Sequence, residues 1–243
     1  MSKYRVTVDT GGTFSDFVFF NEDTGAIAIT KVPSTPKEPF QAVLNGVKEL
    51  VDQGVSASDV SFFCHGTTVG TNALLEEKGA KTGLLVTQGF RGIYEVMEQT
   101  RGYGPATYDL FFEKPRLLAP PFYTEEIPER IDFRGNVLKA IDVEASREAI
   151  RRLKKKNLQS VAVCFLFSFL NPDHELKIKE IFAREFPEAR LSLSYEVLPQ
   201  IREFYRLSTT VINAYLLPVM DRYISSLSAK LGEAGYRGKV FTM

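Results

Sequence analysis

Val8-Asp9-Thr10-Gly11-Gly12-Thr13-Phe14-Ser15-Asp16-Phe17 is the stretch on which the fold of this 243-residue chain turns. Tyr4 to Val8 alternates apolar and polar residues and Phe17 to Phe20 is apolar, so one strand enters the stretch and another leaves it. The adjacent glycines allow φ above zero, and their lack of side chains lets a bulky anion approach the backbone amides. Thr13 and Ser15 add hydroxyl donors. Asp9 and Asp16 bracket the loop, so a hairpin sets them near each other at its open end. Two carboxylates beside a phosphate cradle suit a hydrated Mg²⁺. No Gly-Lys-Ser/Thr follows and the loop leads into a strand, which excludes a Walker A element and a dinucleotide-binding fingerprint. A plain Gly-Gly hairpin turn with polar neighbours accounts for the composition equally well.

Outward from the loop, Asn21 to Gly25 is a turn cluster and Ala26 to Val32 a third strand, which predicts three antiparallel neighbours. Phe40, Val43, Leu44, Val47 and Val51 recur at helical spacing up to about Gly54. Val60 to Cys64 reads as a strand, Thr67 to Lys78 as a helix closed by Gly79, Lys81 to Thr87 as a strand, and Gly92 to Gln99 as a short helix. Between Gly102 and Asn136 the prolines 105, 115, 120, 121 and 128 interrupt any helical periodicity, so this segment reads as loop. Regular patterns return at Asp142, which caps a helix with an apolar stripe of Val143, Ile150 and Leu153 and a basic, solvated opposite face. Val161 to Phe169 is nearly all apolar, as in a strand buried on both faces. Asn171-Pro172 opens a helix through Phe186 that carries His174 as a solvated side chain in its first turn. Leu191 to Tyr195 is strand-like, Ser208 to Leu217 and Pro218 to Leu231 read as two helices broken at Pro218, and Lys239 to Met243 begins a strand. The predicted organisation is an α/β protein with a phosphate-binding lobe over 1–101, a proline-bearing connection over 102–141, and a second α/β lobe over 142–243 that stops mid-pattern and so looks truncated.

Thirty basic and 30 acidic residues cancel, which argues against nucleic acid or an anionic membrane surface as a partner, since both reward excess Lys and Arg. With 44% hydrophobic and 25% charged residues the chain matches globular, not disordered, composition. Its two cysteines, Cys64 and Cys164, lie inside apolar runs and cannot make a disulfide scaffold or a four-ligand zinc site. Together with the lack of a leader or membrane-length apolar run, this predicts a cytoplasmic protein. His65-Gly66-Thr67-Thr68 follows a strand and opens a helix, an arrangement that attracts anions or, equally, a helix cap with a structural histidine. Cys64 and His65 cannot act as nucleophile and base, because successive strand residues face opposite ways. Gly102-Tyr103-Gly104-Pro105 reads as a connector or a substrate lid, and Arg202, Glu203, Tyr205 and Arg206 as a polar surface between lobes or a charged helix start.

The glycine loop resembles the phosphate loop of actin-like and sugar-kinase-like ATPases. Combined with His65 to Glu76, Thr87-Gln88-Gly89-Phe90-Arg91, Tyr108-Asp109-Leu110, Pro128-Glu129-Arg130, Phe165-Leu166-Phe167-Ser168 and Ser208 to Tyr215, it is similar to the N-terminal part of the hydantoinase A / 5-oxoprolinase family. That resemblance implies an actin-like ATPase, ribonuclease-H-like core with an antiparallel-led mixed sheet, and ATP and Mg²⁺ as cofactors. It implies that ATP phosphorylates the carbonyl oxygen of a hydantoin or 5-oxoproline-type cyclic amide before hydrolysis, or serves an acetone or acetophenone carboxylase; a non-catalytic subunit that keeps only the fold is the third possibility. Carried over by position, Asp9 and His65 are the catalytic candidates. Gly11, Gly12, Thr13, Asp16, Thr67 and Thr68 would hold the nucleotide, and Asp9 and Asp16 the metal. Such proteins run several hundred residues further and residues 100–243 contain no second glycine-rich phosphate loop, so half an ATP site, completed by more chain or a partner subunit, is expected.

Overall fold

The structure is a computed structural model, and it describes residues 3–11, 13–35, 39–52, 55–97 and 108–243. The chain groups into two compact units, residues 1–78 with 219–243 and residues 79–218.

In the first unit, β1 (Tyr4–Thr10), β2 (Phe14–Asn21) and β3 (Ile27–Pro33) form the expected antiparallel meander, with Val8 opposite Phe17 and Val6 opposite Phe19. α1 (Pro39–Asp52) leads to β4 (Val60–Thr67), which runs parallel to β1, and α2 (Val69–Leu75) follows. β11 (Val240–Thr242) adds parallel to β4 and gives the order β11-β4-β1-β2-β3. Only β2 opposes the other four strands. Alternation sends Val6, Val8, Phe17, Phe19 and Phe63 into a core shared with Val43 and Val47 of α1 and with Leu227 and Leu231. α1 comes close to the sheet at Gly46, where a Cβ would stand 2.1 Å from the ring of Phe17.

The second unit has a parallel four-stranded sheet in the order β10-β9-β5-β6, formed by β5 (Thr82–Thr87), β6 (Thr124–Ile127), β9 (Ser160–Cys164) and β10 (Arg190–Leu193). β5 and β9 are buried throughout, as strands covered on both faces must be. Short α3 (Ile93–Val96), the β7–β8 hairpin (Arg130–Ile131 and Val137–Lys139), α4 (Val143–Lys154), α5 (Asp173–Glu185) and α6 (Ser194–Val197) complete it with the first part of α7 (Glu203–Glu233). Asp142 caps α4 as expected, accepting from Ala145 N at 3.0 Å. The basic face of α4 is solvated as expected, with Arg151 and Arg152 exposed while pairing with Glu185 and Glu125.

Several predicted boundaries move. The expected domain limits at 101/102 and 141/142 fall inside the second unit, because β5, counted with the first lobe, is a central strand of the second sheet. Residues 219–243, expected in a second lobe, belong to the first unit, since β11 finds its hydrogen-bonding edge on β4. Pro218 does not break the helix: α7 is continuous over 31 residues, and the boundary between units lies just after that proline. The strand expected over Val161 to Phe169 ends at Cys164, where the chain turns and Phe167 takes a left-handed φ of 58°.

Candidate functional site

Strand register builds the site. Asp9 stands opposite Asp16 across β1 and β2 and opposite Gly66 across β1 and β4, while Lys31 of β3 stands opposite Asp16. Opposed residues share a face, so Gly66, Asp9, Asp16 and Lys31 form one polar row across four strands. Lys31 Nζ lies 3.0 Å from Asp16 Oδ1, and none of the ion pairs among the described residues involves Asp9. A Cβ on Gly66 would stand 3.0 Å from Asp9 Oδ1, so a larger residue there would push that carboxylate aside by a few tenths of an ångström.

The loop at the end of this row is held from behind. Gly11 N donates to Phe14 O at 3.0 Å, Ser34 N donates to Thr13 O at 2.8 Å, and Ser34 Oγ donates to Gly11 O at 2.9 Å. Ser15 Oγ donates to Thr10 Oγ1 at 3.1 Å and lies 3.2 Å from Ser34 Oγ. Contrary to the expectation of a hydroxyl donor at the loop, Ser15 does not present its side chain to the Asp9–Asp16 side; alternation along β2 turns it to the buried face, where it anchors the loop. Ser34 was not recognisable in sequence, since it occupies an ordinary Pro-Ser-Thr connection with no spacing signal. Thr13 is exposed at the tip, and Gly12 lies outside the described residues, as does the Gly102-Tyr103-Gly104-Pro105 segment.

His65 is registered with Val8 and so lies on the opposite face from Asp9. It is fully buried, its Nε2 shares a hydrogen bond with the Tyr223 hydroxyl of α7, and its Nδ1 has no hydrogen-bond partner. Burial lowers its pKa to about 4, against a smaller opposing pull from the Asp9 carboxylate, so the ring is neutral near pH 7. Thr67 is on the same face, where its side chain hydrogen-bonds Tyr223, and its amide donates to Met243 O at 3.3 Å. Thr68 precedes the seven-residue α2 without capping it and accepts from Asn72 Nδ2 at 3.3 Å. The structure thus brings Asp9 and Asp16 together beside Gly11 and Thr13, and puts the side chains of His65 and Thr67 on the opposite face of the sheet from the two carboxylates.

The donor set fits hydrated Mg²⁺, which binds through one or two carboxylates and keeps waters: Asp9 and Asp16 share a face, and Asp9 has no competing cation. No group of three or more His, Cys, Asp or Glu suited to a closed metal cage occurs among the described residues. No helix among them is long and apolar enough to cross a membrane.

The second unit holds buried polar groups at the carboxyl ends of its parallel strands, which periodicity did not reveal. His174, expected in solvent, is buried with Nδ1 2.6 Å from Glu129 Oε2, and Thr87 donates to the other oxygen of that carboxylate. The solvated expectation fails because Glu129, distant in sequence, packs against the first turn of α5. Glu175 accepts from Phe165 N at 3.0 Å, Ser194 Oγ at 2.6 Å and Tyr195 N at 3.1 Å. Burial pushes its pKa up, and these donors pull it back. Arg206, read as part of a polar interface between lobes or of a charged helix start, is fully buried and donates to Phe165 O at 2.8 Å and Gln200 O at 2.9 Å.

Residues 5–186 match the family model of the hydantoinase/oxoprolinase N-terminal region. The chain belongs to that family. Its relatives include an uncharacterized protein of Methanocaldococcus jannaschii, 37% identical over 99% of this chain and 35% of its own length. Caprolactamase subunit alpha of Pseudomonas jessenii is 36% identical over 97% of this chain and 34% of its own length. The crystal structure of ATP-dependent caprolactamase from that organism superposes with a TM-score of 0.89, at 35% identity over 98% of this chain and 35% of that one. The acetophenone carboxylase gamma subunit of Aromatoleum aromaticum is 32% identical over 96% of this chain and 34% of its own length. This hydantoinase/oxoprolinase-family chain therefore spans about a third of the length of these relatives.

Proposed function

We infer that the protein is the ATP-using part of an enzyme that hydrolyses a cyclic amide of the hydantoin or 5-oxoproline type. The observation that carries this reading is the Gly66–Asp9–Asp16–Lys31 row beside Gly11 and Thr13. A strand order of β11-β4-β1-β2-β3 with β2 alone reversed supports a ribonuclease-H-like core of the actin-like ATPase kind. Similarity to an enzyme described as an ATP-dependent caprolactamase supports ATP as the second substrate and a lactam ring as the class of target. An amide oxygen is a poor leaving group until it carries phosphate, and ATP supplies that phosphate.

In this reading Asp9 and Asp16 would hold hydrated Mg²⁺, with Lys31 holding Asp16 in place. The exposed Thr13 hydroxyl would face the phosphates. His65, neutral and turned away from the row, acts as a positioning residue by fixing Tyr223 beneath β4. The free thiols of Cys64 and Cys164 are in keeping with a cytoplasmic setting.

Phosphate release from Mg-ATP, measured on the protein completed to the length of its relatives and offered hydantoins, 5-oxoproline and simple lactams, tests the proposal. Asp9→Asn is expected to cost about 2 kcal/mol or more of transition-state stabilisation, roughly a 30-fold fall in kcat/KM, with the melting temperature unchanged. Unaltered turnover would leave a subunit that keeps only the fold. A second reading, a carboxylase subunit, is favoured by the 32% identity to acetophenone carboxylase gamma subunit; release that depends on a ketone plus bicarbonate would select it.

A further inference from the structure

Beside the Asp9–Asp16 row, the same face of the first sheet is mostly apolar, and several of its side chains are exposed. One residue pair along from that row, the register aligns Phe241, Cys64, Thr7, Val18 and Ile29 across all five strands. The next row is Phe62, Arg5, Phe20 and Ile27. Ile29 is 73% exposed, Ile27 65% and Phe241 46%, far from the near-zero values of Val8 and Phe17 on the reverse side. Among the described residues, the helical side chains that join this sheet's core come from α1 and the C-terminal part of α7, and they cover the Val8–Phe17 side. β1, β4 and β11 run parallel, and parallel strands are ordinarily covered on both faces. A contiguous exposed apolar surface of this kind marks an interaction site.

We propose that this face is the docking surface for the polypeptide that corresponds to the roughly two-thirds of its relatives' length this chain does not span, and that the docked segment walls the Asp9–Asp16 row. The charges on the face select the chemistry of the occupant. Arg5 is already paired with Glu22 at 2.6 Å, so no free charge on the two apolar rows calls for a charged partner. An amphipathic helix laying aliphatic side chains over Val18, Ile27 and Ile29 meets that surface, because a sheet face accepts a helix stripe of this kind. Because the polar row adjoins the apolar ones, the occupant reaches the rim of the phosphate site. That second clause rests on the nucleotide reading of Asp9 and Asp16, whereas the docking itself does not.

Cys64 lies within the apolar row between Phe241 and Thr7, is partly exposed, and is the natural reporter. The other thiol, Cys164, is buried, and burial pushes its pKa up to about 12, so it stays silent toward a thiolate-selective reagent. DTNB labelling of the 243-residue chain alone is expected to modify one thiol per chain. Joining or adding the polypeptide that completes the protein to its relatives' length should slow that reaction at least tenfold. Ile29→Asp should restore much of the reactivity in the completed protein while leaving the melting temperature of the 243-residue chain unchanged. Equal rates in the two forms overturn the proposal. Protection that rises with concentration of the 243-residue chain alone, together with dimers in sedimentation, also overturns it by making the occupant a second copy. Cys64 protection without nucleotide-dependent phosphate release keeps the docking and sinks the ATP reading.

Discussion

Burial of the His65 ring sets a pH dependence that can be isolated from the rest of the molecule. The folded-state pKa is lowered from 6.5 to about 4, so the folded protein holds the ring neutral while the unfolded chain takes up a proton as pH falls below 6.5. Stability from this residue is therefore complete above pH 6.5 and is lost as pH falls toward 4. Tyr223 from α7 and the Asp9 carboxylate are the groups that bear on the ring. Denaturant unfolding of wild type and His65→Gln between pH 7 and pH 4 should show an excess acid-induced loss of about 3 kcal/mol in the wild type. Parallel curves for the two proteins would mean that the ring is solvated. The same logic separates His65 from Asp9 in function. The neutral ring lies beneath the sheet, whereas the Asp9 carboxylate is exposed on the opposite face.

At the level of elements, Glu175 near the start of α5 ties down the loop after β9 and the start of α6 through three donors. Glu175→Ala removes all three acceptances from a buried site and is expected to lower the unfolding free energy by about 3 kcal/mol or more, read as a lower denaturant midpoint. A loss under about 1 kcal/mol would show that water replaces the carboxylate. Glu175 also explains why the strand predicted to Phe169 stops at Cys164: its carboxylate captures the amide of Phe165, and the chain leaves the sheet. Alternation within Tyr4–Val8 and the Gly-Gly stretch made the meander legible, because those patterns depend only on neighbours in sequence. Glu129 with His174 and Glu175 with Ser194 were hidden, because each pairing joins residues 19 to 45 positions apart. Pro218 was misread for a related reason. A proline removes one helical hydrogen bond, and packing of the residues around it, Ala214 and Tyr215 before and Tyr223 after, offsets that loss. The Asp9–Asp16 pairing stood at the legible end, since a hairpin fixes it locally, whereas the alignment of Gly66 and Lys31 in the same row needed the sheet.

On the scale of the whole molecule, the second unit is one unbroken stretch, 79–218, with its own apolar cores around Leu85, Ile150 and Phe165 and around Leu84, Val86 and Val211. Residues 79–218 made alone should therefore unfold cooperatively in denaturant with native-like circular dichroism; a noncooperative melt would show that this unit depends on the other. The first unit is instead assembled from 1–78 and 219–243, and β4 keeps one edge without a neighbour until Val240–Thr242 arrive. For a chain made from its N-terminus this inverts the usual order of events. On the ribosome, the unit begun first is the one finished last. The inserted 79–218 can settle while Phe62, Cys64 and their neighbours still present an unpaired edge, so the interval before residue 240 emerges is when nascent chains are most exposed to pairing with one another.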